Sequence, residues 1–226
     1  EYWVAEDNGG IIAAIGLELG DVTAALLRSA IVEPSHRNLG LGRILTEEAL
    51  DWAQLEGFTA VYCFSTDAGS YWTARGFVPC TVEEVLRAIP NAPQVRLFDR
   101  LGWLPTEVAY ARTLTPRLAT YGTLSPGRVH HHELAGLNGA WRPGMVRGHL
   151  VGVSTEGFPA LMLDPFGPVV EVHLFESPDL PAHWKRLDEF EGPEYRRVLT
   201  NVSTSDGSPV KACIYVCAGI NPQKSS

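Results

Sequence analysis

The sequence predicts an α+β protein of two domains, a mixed sheet with helices followed by a small mixed β-barrel. Three observations carry this prediction. The chain has 226 residues, a length at which two small domains are favoured over one large domain. Its first half combines apolar strand-like runs with a long amphipathic helical stretch, whereas its second half has many short strand-like runs and one or two helices. Between the halves, Thr115-Pro116-Arg117 interrupts the pattern and is the expected boundary.

The composition excludes several classes of protein. Hydrophobic residues make up 45% of the chain and charged residues 19%, which is ordinary for a globular protein with a core. The balance of 26 acidic against 18 basic residues gives a net charge of -8, so we expect neither nucleic acid nor an anionic membrane as a partner. The sequence has no membrane-spanning apolar run and no signal-peptide pattern, and its four cysteines lack metal-ligand spacing. A cytoplasmic protein with reduced thiols is therefore expected.

The first half begins with three predicted strands. Tyr2 to Glu6 and Ile11 to Leu19 are joined by the hairpin signal Asp7-Asn8-Gly9-Gly10, and Ala24 to Val32 follows. An amphipathic helix then begins near Leu41 and ends at Gly57. Later elements of this half are a strand over Ala60 to Phe64, a helix opened by the capping box Thr81-Val82-Glu83-Glu84, and a strand over Glu107 to Leu114.

The loop Arg37-Asn38-Leu39-Gly40-Leu41-Gly42-Arg43 stands directly before the long helix. A strand, a basic glycine-rich loop and a helix in this order can hold a pyrophosphate, because loop amides and the helix N-terminus face the anion and glycines allow close approach. Taken alone, such a loop is equally typical of a tight connection.

Together with the segment Ser70-Tyr71-Trp72-Thr73-Ala74-Arg75-Gly76-Phe77, these features resemble the GNAT acyl-CoA transferase family, and its arsenic-operon acetyltransferases in particular. The resemblance implies a GNAT-like mixed sheet over residues 1–114 and acetyl-CoA as co-substrate. It implies that the glycine loop binds the CoA pyrophosphate and that a splayed strand meets the pantetheine arm. The cofactor-binding residues expected on this basis are Ile31, Val32, Arg37, Asn38, Leu39, Gly40, Leu41, Gly42 and Arg43.

Two departures from the family bear on catalysis. Family members usually begin with a strand and two helices that wall the acceptor site, so we expect these N-terminal elements to be missing here. In the family, a tyrosine protonates the departing thiolate, and this position is Trp72 here. The indole N–H of Trp72 can donate a hydrogen bond, but it cannot release its proton at physiological pH. Tyr71 is adjacent, but neighbours in a helix point about 100° apart. The alternative is that this half is a non-catalytic binding or interaction module.

In the second half, an apolar strand from Leu118 runs into Tyr121-Gly122-Thr123-Leu124. Gly122 is predicted to let the backbone turn without a Cβ, so that successive amides point into one cavity and bind a carboxylate. A plain tight turn is the alternative. Downstream, a predicted helix from Pro181 stops at Gly192-Pro193. Glu191 thus lies at the negative end of a helix dipole, which disfavours its charged form and suits a proton-transfer group.

From Leu118 to Cys217 the chain resembles the AIG2-like branch of the gamma-glutamylcyclotransferase family. The Tyr121 loop carries this resemblance, together with the segment Leu187-Asp188-Glu189-Phe190-Glu191-Gly192-Pro193-Glu194-Tyr195-Arg196-Arg197. It implies a gamma-glutamylcyclotransferase-like barrel over residues 118–220 that releases 5-oxoproline from gamma-glutamyl amines or peptides. Glu191 is then the catalytic residue, and the expected substrate-binding residues are Tyr121, Gly122, Thr123, Leu124 and Tyr195.

The remaining predictions concern strands, metals and partners. His130-His131-His132 could suggest a metal site, but a solvated loop or helix start is favoured and no metal is expected.

The partners expected are small-molecule amines or gamma-glutamyl compounds, and the assembly is left open between a monomer and a homodimer. The strands predicted in this half are Trp141 to Val153, Ala160 to Asp164, Val169 to Glu176, Tyr195 to Ser203 and Pro209 to Cys217.

Overall fold

A computed structural model describes residues 1–20, 23–152 and 159–218. The chain divides into two compact units, Glu1–Leu114 and Thr115–Ser226. Within the described ranges, no helix is both long enough and apolar enough to cross a bilayer. Val153, the predicted end of one strand, lies outside these ranges.

The first unit is a mixed sheet with helices on both faces, as the sequence predicts. Its described elements are β1 (Tyr2–Asp7), β2 (Gly10–Leu19), β3 (Ala24–Val32), α1 (Leu41–Glu56), β4 (Ala60–Phe64), α2 (Gly69–Thr73), β5 (Val78–Cys80), α3 (Val82–Ala88), α4 (Pro93–Leu101) and β6 (Ala109–Thr113). The strand order is β1-β2-β3-β4-β6-β5. The apolar side of α1 packs on one face of the sheet, and α3 and α4 cover the other.

The sheet opens between β3 and β4. These parallel strands pair only from Ala24 to Leu27 on the β3 side, and no further pairing is present in the described residues. Beyond Leu27, a bulge against β2 places Ser29 at φ 52, in the left-handed region. Bulges bend a strand and re-aim its side chains. One edge of β3 is consequently left without a neighbouring strand.

The helix α4 was not predicted. Pro90-Asn91-Ala92-Pro93 does end α3, but Pro93 is also the first residue of the next helix. Proline is well tolerated there because its missing N–H would have no intrahelical partner in any case. A helix break and a helix start therefore share the same residues.

The second unit is the small mixed β-barrel that the sequence predicts. Its described elements are β7 (Arg117–Thr120), α5 (His132–Ala135), β8 (Ala140–Gly152), β9 (Pro159–Leu163), β10 (Val169–Glu176), α6 (Leu180–Glu191), β11 (Tyr195–Thr204) and β12 (Pro209–Cys217). The order β10-β7-β12-β11-β8 closes into a ring because β8 also pairs with β10, and β9 extends from β8. The interior is filled by buried aliphatic side chains.

One parallel pair sets the geometry of the barrel. β7 and β12 are parallel in the register Cys213–Leu118 and Ile214–Ala119, whereas the other described barrel pairs are antiparallel. The last residues of β7 and β12 therefore lie at the same end of the barrel. The start of β11 joins them there, because Tyr195 is the register partner of Cys217.

Gly148 lets β8 and β9 approach each other. A Cβ built on Gly148 would lie 2.4 Å from the Met162 carbonyl oxygen and 3.0 Å from a Leu161 methyl. We predict that Gly148→Ala lowers the free energy of unfolding by about 2 kcal/mol, because backbone must move to admit the methyl. Urea denaturation measures the change. Gly136→Ala, where an added Cβ meets nothing within 4 Å, is the control; equal stability of the two variants would contradict the prediction.

Candidate functional site

A small pocket lies at the end of the barrel where β7, β12 and the start of β11 meet. It has a volume of about 40 Å³. The structure brings together in it every residue predicted for the second domain. Its lining residues are Ala119, Thr120, Tyr121, Gly122, Thr123, Leu124, Glu191, Tyr195 and Tyr215.

Gly122 contributes space rather than backbone freedom. Its φ is not in the left-handed region, and a Cβ built on it meets nothing within 4 Å. An L-residue could adopt this backbone, so what glycine contributes here is the absence of a Cβ beside the amides. Within the described ranges, the amides of Gly122, Thr123 and Leu124 have no protein acceptor. Three donors and an open volume thus border the same pocket.

Glu191 is the last residue of α6, and the left-handed Gly192 (φ 73) turns the chain away directly after it. Burial raises the pKa of the Glu191 carboxyl to about 7. Among the described residues, no group is hydrogen-bonded to this carboxylate. A carboxyl with a pKa near neutrality and no protein partner is suited to exchanging protons with a ligand.

The three pocket tyrosines differ in their hydrogen bonding. The Tyr121 hydroxyl donates to the Tyr215 carbonyl oxygen at 2.9 Å and accepts from the Leu161 amide at 3.0 Å. Burial raises its pKa far above the usual value, with Glu191 adding a smaller effect. Burial and the neighbouring Glu191 also raise the pKa of Tyr195. Tyr121 is therefore a fixed wall of the pocket, whereas no described residue fixes the Tyr195 hydroxyl.

Tyr215 is a pocket residue that the sequence did not single out. Its hydroxyl donates to Asp188 Oδ1 at 2.7 Å. Arg197 donates to both oxygens of the same carboxylate, from Nε at 2.8 Å and from Nη2 at 3.0 Å. Arg197 and Asp188 thus form a bidentate ion pair. Tyr215 lacked a sequence signal because only the long-range pairing of β12 with β7 brings it to the pocket.

The histidine run lies beside this pocket but does not form a metal site. The His130 ring packs against Phe190 with centroids 5.2 Å apart, and the His131 ring packs against Trp141 at 5.4 Å. Among the described residues, no group of three or more His, Cys, Asp or Glu side chains is arranged to hold a metal ion.

The first unit contains a larger cavity of about 760 Å³ between the splayed strands and the N-terminus of α1. Leu39 is the one predicted cofactor residue that does not line it, and this residue is 67% exposed. The predicted residues that do line it are Ile31, Val32, Arg37, Asn38, Gly40, Leu41, Gly42 and Arg43.

The glycine loop leaves room for a phosphate group at the start of α1. Gly40 is the N-cap, with φ 83, and a Cβ built on it would enter open space. A Cβ on Gly42 would lie 3.0 Å from the Tyr71 hydroxyl. Arg37 and Arg43 border the same cavity. Free helix amides, basic side chains and absent Cβ atoms fit an anion such as a pyrophosphate.

Trp72 and Tyr71 have different environments. Trp72 is 4% exposed, and its Nε1 is buried with no hydrogen-bond partner among the described residues. The Tyr71 hydroxyl lies 2.9 Å from Thr46 Oγ1, and the Arg75 guanidinium stacks 3.4 Å from the centre of the Tyr71 ring. Both aromatic residues line the cavity. Of the two, only Tyr71 has a hydroxyl. That hydroxyl is hydrogen-bonded to Thr46 and lies close to Gly42 of the glycine loop, so it does not occupy the position of Trp72.

Each unit matches the model of a known family. A model of the gamma-glutamyl cyclotransferase, AIG2-like, family matches residues 118–226, and a model of the GNAT acetyltransferase family matches residues 1–77. The chain joins a GNAT domain to an AIG2-like domain. Both predicted resemblances are confirmed at this level; the closer likeness to arsenic-operon acetyltransferases stays a prediction.

Individual relatives match parts of the chain. An amino-acid acetyltransferase of Pseudomonas fluorescens (strain SBW25) is 29% identical over 86 residues, which are 38% of this chain and 20% of that protein. The chain thus spans about a fifth of the length of this relative. An N-acetylglutamate synthase from Neisseria gonorrhoeae, solved with coenzyme A and N-acetyl-glutamate, is 20% identical with a TM-score of 0.42, covering 50% of this chain and 26% of that chain. An AIG2-like protein from Mus musculus is 23% identical with a TM-score of 0.41, and the match covers 48% of this chain and 81% of that chain.

The far end of the GNAT cavity is polar. Arg28 on β3 forms an ion pair with Glu18, whose side chain is 9% exposed and whose other oxygen accepts from the Gln94 amide at 2.8 Å. Arg28 and Gln94 both line the cavity, and the Gln94 Oε1 atom is buried without a partner among the described residues. This end of the cavity therefore has a cation that is held in place by Glu18.

The raised pKa of Glu191 predicts a pH-dependent gain in stability for Glu191→Gln. Below about pH 4.5 the carboxyl is protonated in both the folded and the unfolded state, so the substitution changes little. As pH rises from about 4.5 to about 7, the carboxyl ionises in the unfolded chain but stays protonated in the folded protein, and stability is lost until the folded carboxyl ionises as well. The variant should therefore unfold with a free energy higher by roughly 2 kcal/mol at pH 8, a value reduced for partial exposure.

Urea denaturation of both proteins at pH 4.5 and pH 8 measures this difference. Glu189→Gln makes the same chemical change at an exposed position of α6 and is the control. An equal effect of Glu191→Gln at the two pH values would show that burial does not disfavour the charged form.

Proposed function

We propose that the AIG2-like domain is a gamma-glutamylcyclotransferase that releases 5-oxoproline from gamma-glutamyl amines or peptides. One observation carries the proposal: a carboxyl whose pKa is about 7, with no described protein partner, shares a small pocket with the free amides of an open glycine turn. Family membership agrees with it.

The reaction needs proton transfer and positioning, and no protein nucleophile. The substrate's α-amine attacks its own γ-carbonyl, so that a ring C–N bond forms and the original amide C–N bond breaks. The α-ammonium gives up two protons, one before the attack and one as the ring closes, and the leaving nitrogen gains two, so that the amine departs as an ammonium ion. Glu191 can perform both transfers, because a pKa of about 7 lies much closer to that of an amine, about 8, than an ordinary carboxyl does.

The pocket can enclose only part of the substrate, and the rest must lie at its mouth or in solvent. A volume of about 40 Å³ is room for only about three water molecules. In this proposal the α-carboxylate accepts charge-assisted hydrogen bonds from the amides of Gly122, Thr123 and Leu124. Tyr121 and Tyr195 flank the folded glutamyl group, and the amine to be released extends into solvent. Holding the substrate bent removes most of the entropy of ring closure before the reaction begins.

We propose further that the GNAT domain binds acetyl-CoA and transfers its acetyl group to a small-molecule amine. Gly40, Gly42 and the start of α1 would hold the pyrophosphate, with Arg37 and Arg43 beside it, and the open edge at Ile31 and Val32 would hold the pantetheine. Acetyl-CoA supplies the activated acetyl thioester. The acceptor amine would enter beside Arg28 and Gln94, which suits an amino-acid-like compound.

A binding module without acyl transfer is the second candidate for this domain. The buried Trp72 favours it, because an indole cannot return a proton to the departing thiolate. The two candidates agree on acetyl-CoA binding and differ only in turnover.

Glu191→Gln should abolish 5-oxoproline formation and leave the fold intact, because an amide can neither accept nor return the proton. The assay incubates the protein with a mixture of gamma-glutamyl peptides, with and without acetyl-CoA, and identifies products by mass spectrometry. The acetyl-CoA arm also reports any N-acetylated amine. Glu189→Gln should retain full turnover. Retained turnover in Glu191→Gln would remove this residue from the mechanism.

Acetyl-CoA should raise the melting temperature of the unmutated protein, since a ligand that binds only the folded state stabilises it. Gly40→Glu should erase this ligand-dependent shift, because it places a carboxylate where the pyrophosphate would lie. Gly102→Glu is a matched control: Gly102 ends α4 with φ 68, and a Cβ there also meets nothing within 4 Å. The absence of a shift in the unmutated protein would count against the CoA site.

A further inference from the structure

The orientation of the Tyr215 hydroxyl is determined outside the pocket. Tyr215 is 4% exposed and lines the pocket. Burial, the hydrogen bond to Asp188 and the nearby Glu191 carboxylate all raise the pKa of its hydroxyl, so this hydroxyl lies within electrostatic range of Glu191. Its hydroxyl gives its single hydrogen to Asp188 Oδ1 at 2.7 Å. A phenol has one hydrogen and two acceptor lone pairs. Towards the pocket, the hydroxyl can therefore only accept a hydrogen bond.

Arg197 keeps the Asp188 carboxylate ionised and in place. Its two hydrogen bonds to the carboxylate, at 2.8 and 3.0 Å, form a bidentate pair. The Arg197 side chain is 12% exposed, and its guanidinium lies 4.5 Å from the centre of the Trp184 ring. Although partial burial acts in the opposite direction, the hydrogen bonds from Arg197 and Tyr215 hold the pKa of Asp188 below its usual value. Asp188 thus remains an acceptor over the range in which Glu191 titrates.

The other pocket tyrosines cannot take the same part. The Tyr121 hydroxyl is bonded on both sides, to the Tyr215 carbonyl and the Leu161 amide. The Tyr195 hydroxyl has no described partner that would fix its hydrogen. Among the described pocket residues, Tyr215 alone presents a hydroxyl whose direction is imposed by a charged pair.

We infer that Asp188, clamped by Arg197, is a positioning residue that holds the Tyr215 hydroxyl as an acceptor for the substrate's attacking amine. This inference rests on the proposed cyclotransferase function. Once Glu191 has taken one proton, the amine keeps two N–H bonds and one lone pair. Donation of one N–H to the Tyr215 oxygen restricts rotation of the amine, so that its lone pair can face the γ-carbonyl. No bond beyond those of the cyclisation forms or breaks.

The test uses the full chain and gamma-glutamyl-propylamide, with 5-oxoproline measured by mass spectrometry. Tyr215→Phe should lower kcat roughly 10- to 100-fold, the loss expected for one hydrogen bond to a nitrogen that becomes positively charged as it attacks the γ-carbonyl, and change KM less than about threefold. Asp188→Ala should cause a similar loss. Asp188→Asn keeps an oxygen that can accept from Tyr215 and should stay within about threefold of full activity. Glu189→Gln on the same helix is the control for removal of a carboxylate.

The double variant separates positioning from a merely structural effect. If Asp188 acts through Tyr215, then Asp188→Ala in the Tyr215→Phe background should cause no further loss of kcat. Additive losses, or equal losses in Asp188→Ala and Asp188→Asn, would overturn the inference. If Asp188→Ala fails to fold, the two remaining single variants still test the inference. Full kcat in Tyr215→Phe would overturn it, and so would a large loss of kcat in Asp188→Asn. An unmutated protein that forms no 5-oxoproline would instead overturn the proposed function.

Discussion

The parallel pairing of β7 with β12 is the constraint on which the second domain depends. Because these two strands run in the same direction, the turn after β7 and Tyr215 near the end of β12 lie at one end of the barrel. β11 is antiparallel to β12, so its first residue, Tyr195, also lies there, only four residues after Glu191. An antiparallel β7 would place the Gly122 turn at the opposite end, and the pocket would not exist.

At the end of α6, local environment gives different pKa values to two acids that are one helical turn apart, of which only Glu191 lines the pocket. Burial without a described partner raises the pKa of Glu191 to about 7, whereas Arg197 and Tyr215 lower that of Asp188 in spite of its partial burial. The fold thus leaves one acid able to exchange protons and keeps the other ionised. Residue type alone does not distinguish them, since both are carboxylic acids on α6.

The GNAT domain obtains its cavity in a different way, by interrupting a sheet. β3 leaves β4 after Leu27, and the bulge at Ser29 turns its edge towards the glycine loop. The loop residues were predictable because glycine before a helix has a local meaning. The position of Leu39 outside the cavity, the helix α4 and the polar end at Gln94 were not predictable, since each depends on how distant segments pack.

The sequence by itself determined the two-domain class and most strand and helix positions, because turn glycines, caps and apolar periodicity act over a few residues. Its resemblance to two families indicated many of the residues that line the two cavities. The sequence also placed Glu191 at a helix end. Only the tertiary structure decided why Gly122 matters, which is space in the pocket rather than backbone freedom. It likewise decided that Tyr215 and the Asp188–Arg197 pair belong to the site. Those contacts join residues up to 94 positions apart, and burial and strand register, which create them, leave no local pattern in the chain.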